Sequence, residues 1–347
     1  MKKTLLLSVL ALLLAVGQPY LEVRVFGADR PLPDEPAAPR PAGADAPAAA
    51  EPEAVSVAPE NPDEPAPAAQ PEDPVLRILT PEGERDMPLQ DYLVGVVAAE
   101  MPADFEPEAL CAQAVAARTY ALYQAQSGKH GAAQLCTDPG CCQAWLGDAA
   151  LRERWGDDYE EKLSRVRAAV GGTAGELLRY EGEPICAVFH SSSAGATEDS
   201  GAVWNARPYL VSVSSPETAA DVPNFISYVQ CTALDLRDTV LSAHPEADFT
   251  GEPETWLGET ERDDSGRVAA LRLGGVRLSG AELRTLFSLR STAFTLECVE
   301  GAFRFTVTGF GHGVGMSQYG AQVMALGGAD HREILTHYYP GAELTGA

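Results

Sequence analysis

Apolar residues recur at helical spacing from Leu89 onward: Leu89, Tyr92, Leu93, Val96 and Val97 fall on one face. The residue before a proline avoids the helical region, so Met101-Pro102 should stop this helix near Glu100. Asp104 stands as the expected N-cap of a second helix over 107–126, closed by Gly128. Upstream, 75–80 reads as a strand ending in a Pro81-Glu82-Gly83 turn. Downstream, the pattern predicts a helix over 153–169 and a strand over 185–190 that opens into the small-residue loop Ser191 to Ala196. The later chain reads as strands at 267–273, 276–279, 294–297 and 303–308, with a helix over 280–289 between them. A glycine-rich turn, Gly309 to Gly315, precedes a helix over 317–326, and the chain finishes near His337-Tyr338-Tyr339. Residues 214–262 read as acidic and loop-rich, with no functional signal. This mixed order predicts an α+β domain rather than a doubly wound sheet.

The N-terminal pattern divides the chain further. Lys2 and Lys3 precede an apolar run from Leu5 to Val16, and more apolar residues follow Gln18-Pro19. Residues 1–28 are therefore expected to be an export signal retained as a membrane anchor, with cleavage after Gly27 as the alternative. Either outcome places the rest of the chain at the extracytoplasmic face of the membrane. From 29 to 74 the chain is rich in Pro, Ala and Glu, with 13 of the 26 prolines and no aromatic residue. Such a segment buries too little apolar surface to offset its chain entropy and is expected to be a disordered linker. The folded domain then spans 75–347. The chain carries 50 acidic against 25 basic residues, a net charge of -25, which argues against a nucleic-acid partner.

Chemistry gathers at a few places. Glu100 ends an apolar helix, where the negative end of the helix dipole and apolar neighbours both disfavour ionisation, as a general acid requires. From position alone an ordinary surface carboxylate is the more common case. Arg118, on an alanine-rich helix, must find a partner or reach solvent; it could orient Glu100, bind a sugar carboxylate or form a core ion pair. His190, Ser191 and Ser192 could bind sugar hydroxyls or form a plain serine-rich turn, and no GxSxG elbow surrounds them. The stretch Gly309-Phe310-Gly311-His312-Gly313-Val314-Gly315 allows close backbone approach to a ligand but is no phosphate-binding loop. His130, Cys136, Cys141 and Cys142 lie within thirteen residues and suit tetrahedral zinc, with a disulfide as the rival in an exported protein.

Two segments together resemble the stage II sporulation protein D family. One runs from Tyr92 through Glu100-Met101-Pro102 to Arg118-Thr119-Tyr120-Ala121; the other is Gly311-His312-Gly313-Val314-Gly315-Met316-Ser317-Gln318-Tyr319-Gly320-Ala321. The loop from His190 to Gly195 matches as well. The resemblance implies a two-lobed catalytic domain with a substrate groove, and a peptidoglycan lytic transglycosylase that cleaves the MurNAc-GlcNAc bond of peptide-stripped glycan during engulfment. It implies Glu100 as the catalytic acid, with Arg118, His190, Ser191, Ser192, His312, Ser317, Gln318 and Tyr319 on the substrate. Structural zinc would sit on His130, Cys136, Cys141 and Cys142, with Cys141 where the family has a histidine. Implied partners are peptidoglycan strands, a cell-wall amidase and other engulfment proteins. A non-catalytic glycan-binding amidase enhancer is the alternative, and a zinc hydrolase built on His190, His312 or His337 a weaker one, since no HExxH pair is present.

Overall fold

The computed structural model describes residues 73–346. The expected anchor at 1–28 and nearly all of the 29–74 linker lie outside the described residues. Strands and helices are mixed, and buried apolar side chains fall into two clusters, each with its own elements.

The first cluster joins the early and late parts of the chain. Strand β1 (Val75–Thr80) alternates exposed and buried positions, with Leu76 and Ile78 turned inward. It pairs antiparallel with β2 (Gly83–Pro88), a strand its charged sequence conceals, and parallel with β3 (Leu135–Cys136). Helix α1 (Leu89–Glu100) buries the five residues that its spacing predicted. Helix α2 (Pro107–Ala125) is covered on almost every side, packing against α1 and against α4 (Tyr159–Gly172), and its alanines let these neighbours approach closely. Its N-cap is Glu106 rather than Asp104: Pro107 fills the first turn without an N–H, and Asp104 pairs with Lys162 at 3.5 Å. The single helix expected at 153–169 is two: α3 (Asp148–Trp155) ends at Gly156 (φ 51°), and a 3-10 turn leads into α4.

The second cluster is an excursion of the chain between residues 226 and 308. Strands β7 (Ile226–Thr232), β11 (Phe294–Val299) and β12 (Ala302–Thr308) form one antiparallel sheet in the order β11-β12-β7. Strands β8 (Leu257–Arg262), β9 (Val268–Leu273) and β10 (Val276–Ser279) form another. Phe303, Phe305 and Val307 alternate inward and meet Leu236 and Val240 of α6 (Ala233–Ala243) and Leu283 of α7 (Gly280–Leu286). The 214–262 stretch is thus not loop-rich: it supplies β7, α6 and β8, whose half-exposed strands give only weak alternation. After the short strands β4 (Leu177–Tyr180) and β5 (Glu183–Pro184), the segment expected as a strand over 185–190 pairs only at β6 (Phe189–His190), and the four-residue helix α5 (Ser200–Val203) follows. After the excursion the chain returns to the first cluster through β13 (Met316–Ser317), α8 (Gln318–Leu326) and α9 (His331–Tyr338). No described helix is long and apolar enough to cross a membrane.

Candidate active site

Met101 takes the extended conformation (φ −124°, ψ 141°) that Pro102 demands, so α1 ends on Glu100. The carboxyl therefore sits at the negative end of the helix dipole. The segment leaving the cysteine-rich loop lies along the same helix. Gly95 leaves room for the indole of Trp145, which any β-carbon there would strike. Leu146 N–H donates to Gly95 O at 3.2 Å, and Ala144 N–H donates to Glu100 Oε1 at 2.8 Å. Burial holds the Glu100 carboxyl above the usual range, against the opposing pull of the Ala144 bond.

Glu100 lines a cleft of about 590 Å³, within the roughly 300–1,000 Å³ typical of ligand pockets. Gln143, Trp204, His190 and His312 share its walls, and Arg284 enters from the second cluster on α7. Among the lining residues Glu100 is the only carboxylate and Arg284 the only lysine or arginine. Both amide atoms of buried Gln143 lack a partner.

The two remote histidine segments meet because β13 pairs parallel with β6, placing Ser317 opposite His190. His190 Nδ1 faces Val314 O at 3.3 Å and Nε2 faces Ser193 Oγ at 2.7 Å. The carbonyl can only accept, so Nδ1 carries the proton and the hydroxyl donates to Nε2. Burial first, then the nearby His312 and Arg267, keeps His190 neutral. His312 Nδ1 accepts from Val314 N–H at 3.1 Å, and burial pushes its pKa down to about 4. Trp204, half exposed, packs at 5.0 Å from the His312 ring. The glycines of this turn are sterically required: Gly313 (φ 86°) lies under the Arg267 guanidinium, and a β-carbon on Gly315 (φ 72°) would strike the Val188 carbonyl.

The other expected substrate residues stand back from the cleft. Ser317 is fully buried, caps α8 and donates to Glu217 Oε1 at 2.5 Å. Glu217 also accepts from Ser193 N–H at 2.6 Å and Ser215 Oγ at 2.6 Å, so one buried carboxylate ties both loops together. Gln318 donates to Gln113 Oε1 at 3.3 Å, and Tyr319 packs edge-on to Phe105 at 5.0 Å. Ser191 contributes its carbonyl to Tyr319 N–H, while the buried Ser192 pairs its backbone with Phe310. Arg118 makes no bond to Glu100. Its guanidinium donates to Val170 O (2.9 Å), Thr173 O (2.7 Å) and Glu176 O (3.4 Å), at and just beyond the C-terminus of α4, and burial lowers its pKa to about 10. An arginine inside a helix buried all round thus finds the negative end of a second helix.

His130, Cys136, Cys141 and Cys142 bring their donor atoms within 4.8 Å of one another. All seven cysteines carry free thiols. Three sulfurs and one imidazole nitrogen at that spacing fit a single tetrahedral metal ion. Cys141 and Cys142 also line the cleft, and Ala144, which holds Glu100, follows two residues later. No such group among the described residues includes His190, His312 or His337, and His337 faces Ser214 O at 2.7 Å.

The stage II sporulation protein family model matches residues 83–180. Stage II sporulation protein D of Bacillus subtilis is 37% identical over 278 residues, covering 79% of each chain. That of Bacillus amyloliquefaciens is 36% identical over 266 residues, 76% of this chain and 75% of its own. The chain belongs to the stage II sporulation protein D family. A more distant relative, the amidase enhancer of Bacillus subtilis, is 28% identical over 301 residues but is covered over only 40% of its length. The matched span holds Glu100, Arg118 and the four candidate metal ligands, while Trp204, Glu217 and Arg284 lie beyond it. Those three escaped sequence reasoning. Trp204 and Glu217 follow no periodic pattern, and Arg284 reads as an ordinary polar position on a short helix.

Proposed function

We propose that this sporulation protein is a peptidoglycan lytic transglycosylase, anchored at the extracytoplasmic face of the membrane by residues 1–28. It would cleave the MurNAc-GlcNAc bond of glycan whose stem peptides have been removed. The observation behind this reading is the single cleft carboxylate, Glu100, held above its ordinary pKa by burial. A protonated Glu100 donates its proton to the glycosidic oxygen as the C1–O bond breaks, leaving oxocarbenium character at MurNAc C1. The resulting carboxylate takes the proton of the MurNAc C6 hydroxyl, whose oxygen closes on C1 to give a 1,6-anhydro ring. The proton lent is recovered and no water is consumed. Glycoside hydrolases of the paired type need a second carboxylate across the scissile bond, and the cleft lining has none.

The neutral His190 and His312 leave Glu100 without a cationic imidazole beside it that would favour its ionised form. Trp204 offers a half-exposed ring to the apolar face of a sugar. His130, Cys136, Cys141 and Cys142 would hold zinc as a closed four-ligand structural site that fixes the loop carrying Ala144. The name of the distant relative supports a cell-wall amidase as partner. Glycan binding without catalysis would not call for a carboxyl of raised pKa, which favours the enzyme over an enhancer.

Full-length protein and Glu100→Gln, incubated with amidase-treated peptidoglycan, test this by release of soluble glycan. General-acid loss should lower the rate by at least about 10²-fold. Equal release by the variant would overturn the assignment.

A further inference from the structure

Arg284 projects from α7 into the cleft that holds Glu100. Its Nε donates to Leu289 O at 3.3 Å, and neither terminal nitrogen has a protein partner among the described residues. No carboxylate pairs with it among those residues, although the chain has twice as many acidic as basic side chains. Burial alone shifts its pKa, downward, with no neighbouring anion to oppose the shift. A half-buried guanidinium kept apart from so many carboxylates is a destabilising element unless a ligand completes it. Its planar fork suits a carboxylate bound by two parallel hydrogen bonds.

Resting on the glycan reading above, we propose that Arg284 binds a carboxylate of the glycan substrate, the lactyl group that a MurNAc residue exposes once its stem peptide is gone. The lactyl ether stands on C3 of the sugar whose C1 would be attacked, so this carboxylate and the scissile bond belong to one ring. An intact peptide turns the lactyl group into an amide, which has no negative charge for the guanidinium. Arg284 would then be the feature by which the cleft distinguishes stripped from substituted strands. Its place in the second cluster means that the substrate's charged group bridges the two clusters, with Glu100 on one side and Arg284 on the other.

Full-length Glu100→Gln, which cannot turn the ligand over, provides the binding assay by calorimetry. Three glycan fragments are compared: peptide-free, peptide-free with every lactyl carboxylate converted to its methylamide, and peptide-bearing. Binding should be about tenfold or more tighter to the free acid than to the methylamide, the scale of one hydrogen bond to a charged group. Adding Arg284→Gln should erase that difference, and Arg284→Lys should restore part of it. Equal affinity for acid and methylamide, or a preference that survives Arg284→Gln, would overturn the proposal. Peptide-bearing glycan bound as tightly as the free acid would also overturn it, by giving the carboxylate a peptide source. The acid-versus-methylamide comparison needs no change at Arg284, so it stands even if that variant fails to fold. Cleavage by wild-type protein is read separately: no cleavage alongside intact discrimination would count against the lyase and leave the carboxylate site standing.

Discussion

Glu100 shows how one residue can be built by its backbone. Pro102 ends the helix, Gly95 admits Trp145, and Ala144 N–H reaches the carboxyl at 2.8 Å. Because burial raises its pKa, the folded state holds the Glu100 proton more tightly than the unfolded chain does. That contribution to stability is complete below the ordinary value of 4.5 and is lost as pH rises through the raised value. Glu100→Gln should therefore gain stability relative to wild type at alkaline pH and lose the advantage on acidification, which thermal unfolding across pH would read. A difference constant with pH would refute the shift. Activity should fall over the same alkaline range as the acid loses its proton. Arg118 has the opposite character. Its expected place on the substrate gives way to three carbonyls, so Arg118→Met should destabilise the fold by about 2–3 kcal/mol in denaturant unfolding, the cost of buried acceptors left unmet.

At the scale of elements, the cysteine-rich loop and α1 act as one unit. The candidate metal-ligand group ends at Cys142, and Ala144 holds Glu100. Chelation, or Cys136→Ser, should loosen this loop and lower glycan cleavage by about tenfold or more while far-UV circular dichroism stays largely helical. Cleavage unaffected by metal removal would separate the loop from the site. Sequence periodicity exposed α1, α2 and the inward faces of β9 and β12, since each has one deeply buried side. It failed for β2 and β7, whose exposed residues carry no strong alternation. Motif reading picked out Glu100, His190, His312 and Ser317 as site residues; the first three line the cleft and Ser317 does not. The structure gives Ser317 to Glu217, a residue whose long-range partners no local pattern records. Arg284 was invisible for the same reason: what distinguishes it is the absence of a nearby anion among the described residues, a property of the folded molecule alone.

Across the whole molecule, elements of both hydrophobic clusters contribute to the lining of one cleft. The first provides Glu100 and the candidate metal loop; the second, an excursion of the chain, provides Arg284, the only lysine or arginine of the lining. The β6–β13 pairing and the Glu217 bonds bring together segments more than a hundred residues apart, so the cleft exists only when the whole described domain is folded. Against a net charge of -25 for the chain, Arg284 is the one lysine or arginine in the cleft lining. Mass spectrometry of the glycan ends released by full-length protein distinguishes a ring-closing cleavage driven by one carboxyl from hydrolysis. Wild type should leave 1,6-anhydroMurNAc termini that are absent with Glu100→Gln; reducing termini in their place would contradict ring closure.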